Sequence, residues 1–104
     1  MNDEEGAMAS YFVFFRFTER GVKNVRESPA RVETAKKSFR ELGATVKAFY
    51  ALMGAYDTVF IVEAPDDETA ARAALATASL GNVRTETVRA FDEDEFKRIV
   101  AALP

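Results

Sequence analysis

The pattern of apolar positions predicts four β-strands. Residues 11–17 (Tyr-Phe-Val-Phe-Phe-Arg-Phe) favour a strand at nearly every position, and both faces of that strand are apolar up to Arg16. Residues 45–52, 56–63 and 83–91 predict three further strands, and the turn at residues 53–55 predicts a hairpin between the first two of these. A strand that is apolar on both faces needs cover on both sides.

Two helices are predicted between the strands. Ser28 and Pro29 are typical of an N-cap and a first helical residue, and Gly43 is typical of a helix end. Between them runs one apolar stripe: Val32, Ala35, Phe39 and Leu42. An alanine-rich helix then follows the acidic residues 66–68 and ends at Gly81. We interpret residues 18–27 as a polar connection.

A last helix is predicted after the fourth strand. Asp92 and Glu95 have the spacing of a capping box, in which each side chain bonds to the backbone of the other residue. The apolar stripe of this helix is formed by Phe96, Ile99, Val100 and Leu103.

The order β-α-β-β-α-β followed by a helix predicts an α+β, ferredoxin-like fold. Its four-stranded antiparallel sheet would carry the two main helices on one face, which leaves the second face bare. We expect residues 1–9 to form a flexible extension and residues 10–104 to form a single domain.

The bare face predicts self-association, because its apolar residues would otherwise be exposed to water. Either a second copy of the chain or the C-terminal helix could cover it. We favour a second copy, packed sheet against sheet, because one short helix with a narrow stripe cannot hide four strands. A homodimer or a higher oligomer of dimers is therefore expected.

Composition removes several chemistries. The 104 residues include no Cys and no His, so thiolate and histidine catalysis and Cys- or His-ligated metals are excluded, and we expect no metal and no cofactor. The net charge is −3, although nine basic and four acidic residues give residues 16–47 a charge of +5. We interpret that segment as a solvated helix face and regard nucleic acid as a less favoured partner.

No apolar run approaches a membrane span, and the acidic start is unlike a secretory signal. A cytoplasmic protein without a membrane partner is the default expectation.

Several stretches of the chain resemble the GYD-domain proteins of prokaryotes. They lie at residues 17–21, 28–31, 49–57, 63–67 and 80–87, within a region from about Ser10 to Phe91. The motif that gives the family its name is interrupted here and runs Gly54-Ala55-Tyr56-Asp57. The resemblance implies a ferredoxin-like domain that pairs as a dimeric α/β-barrel, and it implies no particular activity.

Asp57 is the candidate catalytic residue. It enters an apolar strand and by alternation shares a face with Val59 and Ile61. A carboxylate in that setting needs a partner or a raised pKa, so it suits a general base or a polar anchor in a cavity. The alternative is a structural role, in which Asp57 bonds to backbone amides of the Gly54 turn or pairs with an arginine.

Four more residues are candidates for ligand binding. Tyr50 and Tyr56 flank the hairpin, and each could bind a ligand oxygen or serve as a core aromatic with a wet hydroxyl. Tyr50 shares a predicted register with Val46 and Ala48. Arg16 suits an anionic ligand, since its own strand offers no opposite charge. Arg84 could do the same, or pair with Glu86 on its own face.

Three functions remain open on this basis. The favoured hypothesis is a homo-oligomer that binds a small molecule between its sheets. The alternative is a cofactor-independent oxygenase or isomerase with Asp57 as base and Tyr50 or Arg16 as electrophile. A third is an adaptor whose basic surface binds nucleic acid or an acidic partner.

Overall fold

The computed structural model describes residues 7–104. The strands are β1 (Ala9–Phe17), β2 (Thr45–Ala51), β3 (Thr58–Ala64) and β4 (Val83–Ala90). The α-helices are α1 (Glu19–Lys23), α2 (Ser28–Glu41), α3 (Asp67–Ala78) and α4 (Glu93–Ala101), with a 3₁₀ helix at Val25–Glu27. Of the predicted N-terminal extension, residues 1–6 lie outside the described residues, and Ala9 already belongs to β1.

The sheet has the strand order β2-β3-β1-β4, with every neighbouring pair antiparallel. This arrangement confirms the α+β, ferredoxin-like prediction. Tyr11, Val13 and Phe15 of β1 point to the helix side, where Phe39 of α2 and three alanines of α3 complete the core. The rings of Phe39 and Phe60 meet edge to face with centroids 5.3 Å apart. The core therefore lies on one face of the sheet only.

The segment interpreted as a polar connection, residues 18–27, is mostly helical. Thr18 caps α1 by accepting a hydrogen bond from the amide of Gly21 at 3.1 Å. Its amide and its hydroxyl donate to the carbonyls of Asn82 and Gly81 at 3.0 and 2.7 Å. A Cβ on Gly21 would lie 2.1 Å from the Asn82 carbonyl oxygen, so only glycine allows this close approach. The contact joins two of the stretches that resemble the GYD family.

Helix α2 begins one residue earlier than predicted. Ser28 is already helical, with φ −55° and ψ −42°, because the preceding 3₁₀ helix leads directly into α2, and Glu27 takes the N-cap position. The helix ends as predicted: Gly43 has φ 103°, a value that suits glycine, and the amide of Ala44 donates to the carbonyl of Phe39.

Strand β2 contains a bulge that changes the predicted register. Pairing with β3 shifts between Val46 and Ala48, so Lys47 is the extra residue. Val46 consequently packs against the core, whereas Ala48 and Tyr50 lie on the other face. The prediction that Tyr50 shares a face with Val46 is wrong, because period-two alternation fails at a bulge.

Helix α4 has the predicted capping box, with reciprocal bonds between Asp92 and Glu95 at 2.8 and 2.9 Å. Arg89 ties its first turn to the sheet through an ion pair with Glu95 at 3.6 Å and a stack on Phe91 at 4.3 Å. Its apolar stripe stays exposed within the chain, at 44–64% for Phe96, Ile99, Val100 and Leu103. No helix within residues 7–104 is long and apolar enough to cross a membrane.

A buried tyrosine joins β1 to α3. The Tyr11 hydroxyl donates a 2.5 Å hydrogen bond to Asp67 in the first turn of α3. Burial, followed by this bond and the charge of Asp67, raises the pKa of Tyr11 from 10.0 to about 12. Because the folded pKa lies above the ordinary value, the stabilisation is complete below pH 10 and is lost as the pH rises through 12.

We expect Tyr11→Phe to lower the free energy of unfolding by about 1–2 kcal/mol at pH 8, because a hydrogen bond to a charged acceptor is lost. The difference from wild type should vanish near pH 12. Urea unfolding at both pH values measures it, with the exposed Tyr50→Phe as the control. A Tyr11→Phe deficit that is the same at pH 8 and pH 12 would contradict the assignment.

Candidate functional site

The face of the sheet opposite the helices, called here the open face, has an apolar centre that remains partly exposed among residues 7–104. Strand register places on it Ser10, Phe12, Phe14, Arg16, Ala48, Tyr50, Val59, Ile61, Glu63, Arg84, Glu86, Val88 and Ala90. Phe12 and Val88, directly opposite each other, are 37% and 38% exposed. A surface of this kind marks an interaction site more often than a solvated one.

Tyr56 covers one end of the open face. Its ring lies 4.8 Å from the ring of Phe14, and its hydroxyl donates a hydrogen bond to Glu86 on β4. The link from β2 to β3 therefore folds back over β1, and Val59, the cross-strand partner of Phe14, is 5% exposed. The bond to the Glu86 carboxylate raises the pKa of Tyr56 above 10.0, so its hydroxyl is a poor acid near neutral pH.

Two arginines lie at this end of the open face. Arg16 and Arg84 are cross-strand partners, although like charges in that position repel. Arg16 stacks over the Tyr56 ring at 5.2 Å and donates to the Ala55 carbonyl at 3.1 Å. Within residues 7–104 neither arginine is in an ion pair, since Glu86, the partner predicted for Arg84, bonds to Tyr56 instead. The pair can receive a carboxylate or another anionic group.

Asp57 precedes β3 and anchors the end of β1. Its Oδ2 accepts a hydrogen bond from the Phe17 amide at 2.8 Å, and its own amide donates to the Phe15 carbonyl at 2.9 Å. The contacts are backbone bonds across the sheet, in place of the Gly54 turn bonds or the arginine pair considered for a structural role. Asp57 therefore extends the pairing with β1 one residue ahead of Thr58, the first residue of β3.

A groove lies on the helix side of the sheet, between α2, α3 and the ends of the strands. It has a volume of about 860 Å³ and its lining includes Phe17, Val32, Leu52, Asp57 and Val83. Sequence reasoning placed a cavity between two sheets and missed this one. No local signal reports how closely two helices approach the sheet below them.

The structure brings only some of the candidate residues together. Arg16, Tyr56 and Arg84 cluster at one end of the open face, together with Glu86. Tyr50 lies on the open face of the edge strand β2 and is 59% exposed. Asp57 lines the groove on the helix side, so it and Tyr50 do not form one catalytic pair.

The model of the GYD domain matches residues 11–100 of the chain. The protein belongs to the GYD domain family. A relative from Thermus thermophilus, named glutamine synthetase and cystathionine beta-lyase binding protein, is 38% identical over 84 residues, which are 80% of this chain and 88% of the relative. The family was therefore identified correctly from the ordered stretches, despite the interrupted Gly-Tyr-Asp motif.

Solved structures support the fold. TTHA0845 from Thermus thermophilus superposes with a TM-score of 0.54 at 30% identity, over 82% of this chain and 95% of that one. The leucine response regulatory protein LrpA of Mycobacterium tuberculosis gives a TM-score of 0.61 at 19% identity, over 81% of this chain. The chain spans about half (51%) of that regulator, and at this identity the likeness concerns the fold alone.

The bond from Phe17 to Asp57 gives a test of the role of this carboxylate in stability. We expect Asp57→Ala to lower the free energy of unfolding by about 1–3 kcal/mol, because the half-buried Phe17 amide loses its acceptor. Asp57→Asn should cost less than half as much, since its amide oxygen can accept the same bond. Urea denaturation measures both variants, and an Asp57→Ala variant as stable as wild type would contradict this role.

Proposed function

We propose that this protein is a small self-associating binding protein that acts by contacting other proteins. The observation that carries the proposal is the pair of uncovered apolar surfaces, the open face and the stripe of α4. A domain of this size gains about 25 cal/mol for each Å² of apolar surface that it buries, so covering these surfaces favours assembly.

A second copy of the chain suits the open face by its charges as well as its apolar centre. Arg16 and Arg84 lie at one end of the face, and Glu63, the partner of Ser10, lies at the other. Two copies stacked with their strands running in opposite directions bring the basic end of each face to the acidic end of the other. Such complementarity fixes the register of an interface and opposes the parallel arrangement.

The likeness to the Thermus protein supports other proteins as partners. Its name states that it binds glutamine synthetase and cystathionine beta-lyase, and the match extends over most of both chains. We propose enzymes of this type as partners of the present chain. The arginine pair at the end of the open face offers the assembly a place for a carboxylate, on a partner protein or on a small ligand between the sheets.

Binding accounts for the geometry better than the oxygenase or isomerase alternative. Asp57 holds the backbone of β1, and Tyr50 lies on the other side of the sheet. The Tyr56 hydroxyl is already bonded to Glu86. The candidate acid and base groups therefore do not converge on one point where a substrate could react.

Self-association is tested by sedimentation at micromolar concentration. We expect the wild-type chain to sediment as a dimer or a multiple of it, and Phe12→Glu to weaken the assembly at least about tenfold, because it places a carboxylate in the centre of the apolar face. Leu75→Glu is the matched control, since Leu75 is exposed on α3, away from the open face. A compact wild-type monomer would overturn the proposed assembly.

Partner binding is tested by passing glutamine synthetase and cystathionine beta-lyase from the organism that encodes this chain over the immobilised protein. We expect at least one enzyme to be retained, and Ile99→Glu, which disrupts the stripe of α4, to reduce retention. Lys97→Glu, on the same helix, is the control for a general charge effect. Failure of both enzymes to bind the intact assembly would refute enzymes of this type as partners.

A further inference from the structure

The groove between α2, α3 and the sheet has the size of a small-molecule site. Its volume of about 860 Å³ falls in the range of roughly 300–1,000 Å³ that is usual for such sites. Most of its lining is apolar, including Phe17, Val32, Leu52, Ala76, Leu80 and Val83. It lies on the opposite side of the sheet from the open face, so it is a separate site from the proposed assembly surface.

The groove is open because α2 packs closely at one end only. Phe39, near the end of α2, is fully buried, whereas Val32, two turns earlier, is half-buried. Three apolar residues border the resulting gap and remain 36–57% exposed: Val25, Leu52 and Leu80. Within residues 7–104 nothing covers them, so their burial would favour a bound apolar group.

Among the charged residues that line the groove, one carboxylate has no ion pair within residues 7–104. Its charged lining residues are Glu27, Arg31, Glu33, Lys36 and Asp57. Arg31 pairs with Glu27 at 3.8 Å, and Lys36 pairs with Glu33 at 3.4 Å. Asp57 has no ion pair among the described residues, and its Oδ1 accepts no hydrogen bond from them, while Oδ2 is bonded to Phe17.

Arg31 also donates hydrogen bonds to neighbouring residues of the chain. The Arg31 guanidinium donates to the carbonyls of Asn24 and Gly21 and to the Ser28 hydroxyl, at 3.1 to 3.4 Å. It therefore ties α1 and Asn24 to the start of α2 and has few donors left for an anion. The charged lining residue without an ion pair among residues 7–104 is therefore a carboxylate, that of Asp57.

We propose that the groove binds a small amphiphilic amine, whose apolar body packs between α2 and the sheet and whose ammonium group pairs with Oδ1 of Asp57. A charge-assisted bond next to an apolar lining is strong, because water competes poorly there. Asp57 then has two tasks, one oxygen for the Phe17 amide and the other for the ligand.

Isothermal titration calorimetry with three probes of similar size tests the proposal: 2-phenylethylamine, 2-phenylethanol and phenylacetate. We expect the amine to bind at least about tenfold more tightly than the alcohol, with phenylacetate weakest. Asp57→Asn keeps the bond to Phe17 and should reduce the preference for the amine to about onefold. Glu41→Gln, an exposed carboxylate outside the lining, should leave the preference unchanged.

A filling variant locates the binding. Ala76→Phe places a ring in the groove without changing its charge. We expect it to weaken the binding of 2-phenylethylamine at least about tenfold. Undiminished binding to Ala76→Phe would place the site elsewhere and overturn the proposal. Equal affinity for all three probes would overturn the choice of an amine. Tighter binding of phenylacetate would overturn it too, and would indicate that the N-terminus of α2 attracts the carboxylate.

The stripe of α4 from a second copy is the competing occupant. If wild type binds none of the probes and Ile99→Glu binds the amine, then α4 of a second copy fills the groove in the wild-type assembly. The proposal fails in that case. The outcome is distinguishable from failure of the assembly itself, because sedimentation reports the assembly and calorimetry reports the groove.

Discussion

Strand β1 is the constraint on which the rest of the structure depends. It is paired on both edges, with β3 and β4, and its side chains are apolar on both faces. One face meets α2 and α3, and that contact makes the core. On the other face, Phe14 packs against the Tyr56 ring, while Phe12 stays 37% exposed. A single segment thus determines the position of the core and supplies the apolar centre of the open face.

The two ends of β1 are held by different means. At one end, Tyr11 bonds to Asp67, so the strand is fixed to the start of α3. At the other, Asp57 bonds to Phe17, and Thr18 continues into α1, which rests on the loop before β4. The second end supplies both the groove and the arginine pair. The candidate binding features of this domain therefore lie near the same end of β1.

Elements and their order could be predicted because each rests on local signals. The capping box at Asp92, the positive φ of Gly43 and the apolar run of β1 are all decided by residues close in sequence. The bulge at Lys47 escaped prediction, since one extra residue leaves no clear mark in an alternating pattern. It moved Val46 to the core side and left Tyr50 on the open face.

Contacts between distant segments were harder to predict than elements. The bond from Tyr56 to Glu86 and the bond from Asp57 to Phe17 join residues 30 and 40 positions apart. Arg16, Tyr56 and Arg84 were candidates because of their places in the predicted strands and hairpin, and in the structure they lie at one end of the open face. The sequence could not say that Tyr50 and Asp57 would lie on opposite sides of the sheet, because that depends on the register of β2 and on where β3 begins.

The bulge in β2 also bears on how this protein avoids uncontrolled aggregation. An apolar sheet with two free edges is a template for added strands, and the edge strand β2 is where such growth would begin. The extra residue there is the exposed Lys47, which interrupts the ladder and places a charge at the edge. On the other edge, β4 alternates arginine, threonine and glutamate over much of its length. Both edges thus carry charged side chains, and the edge of β2 also carries a bulge, features that oppose the addition of further strands.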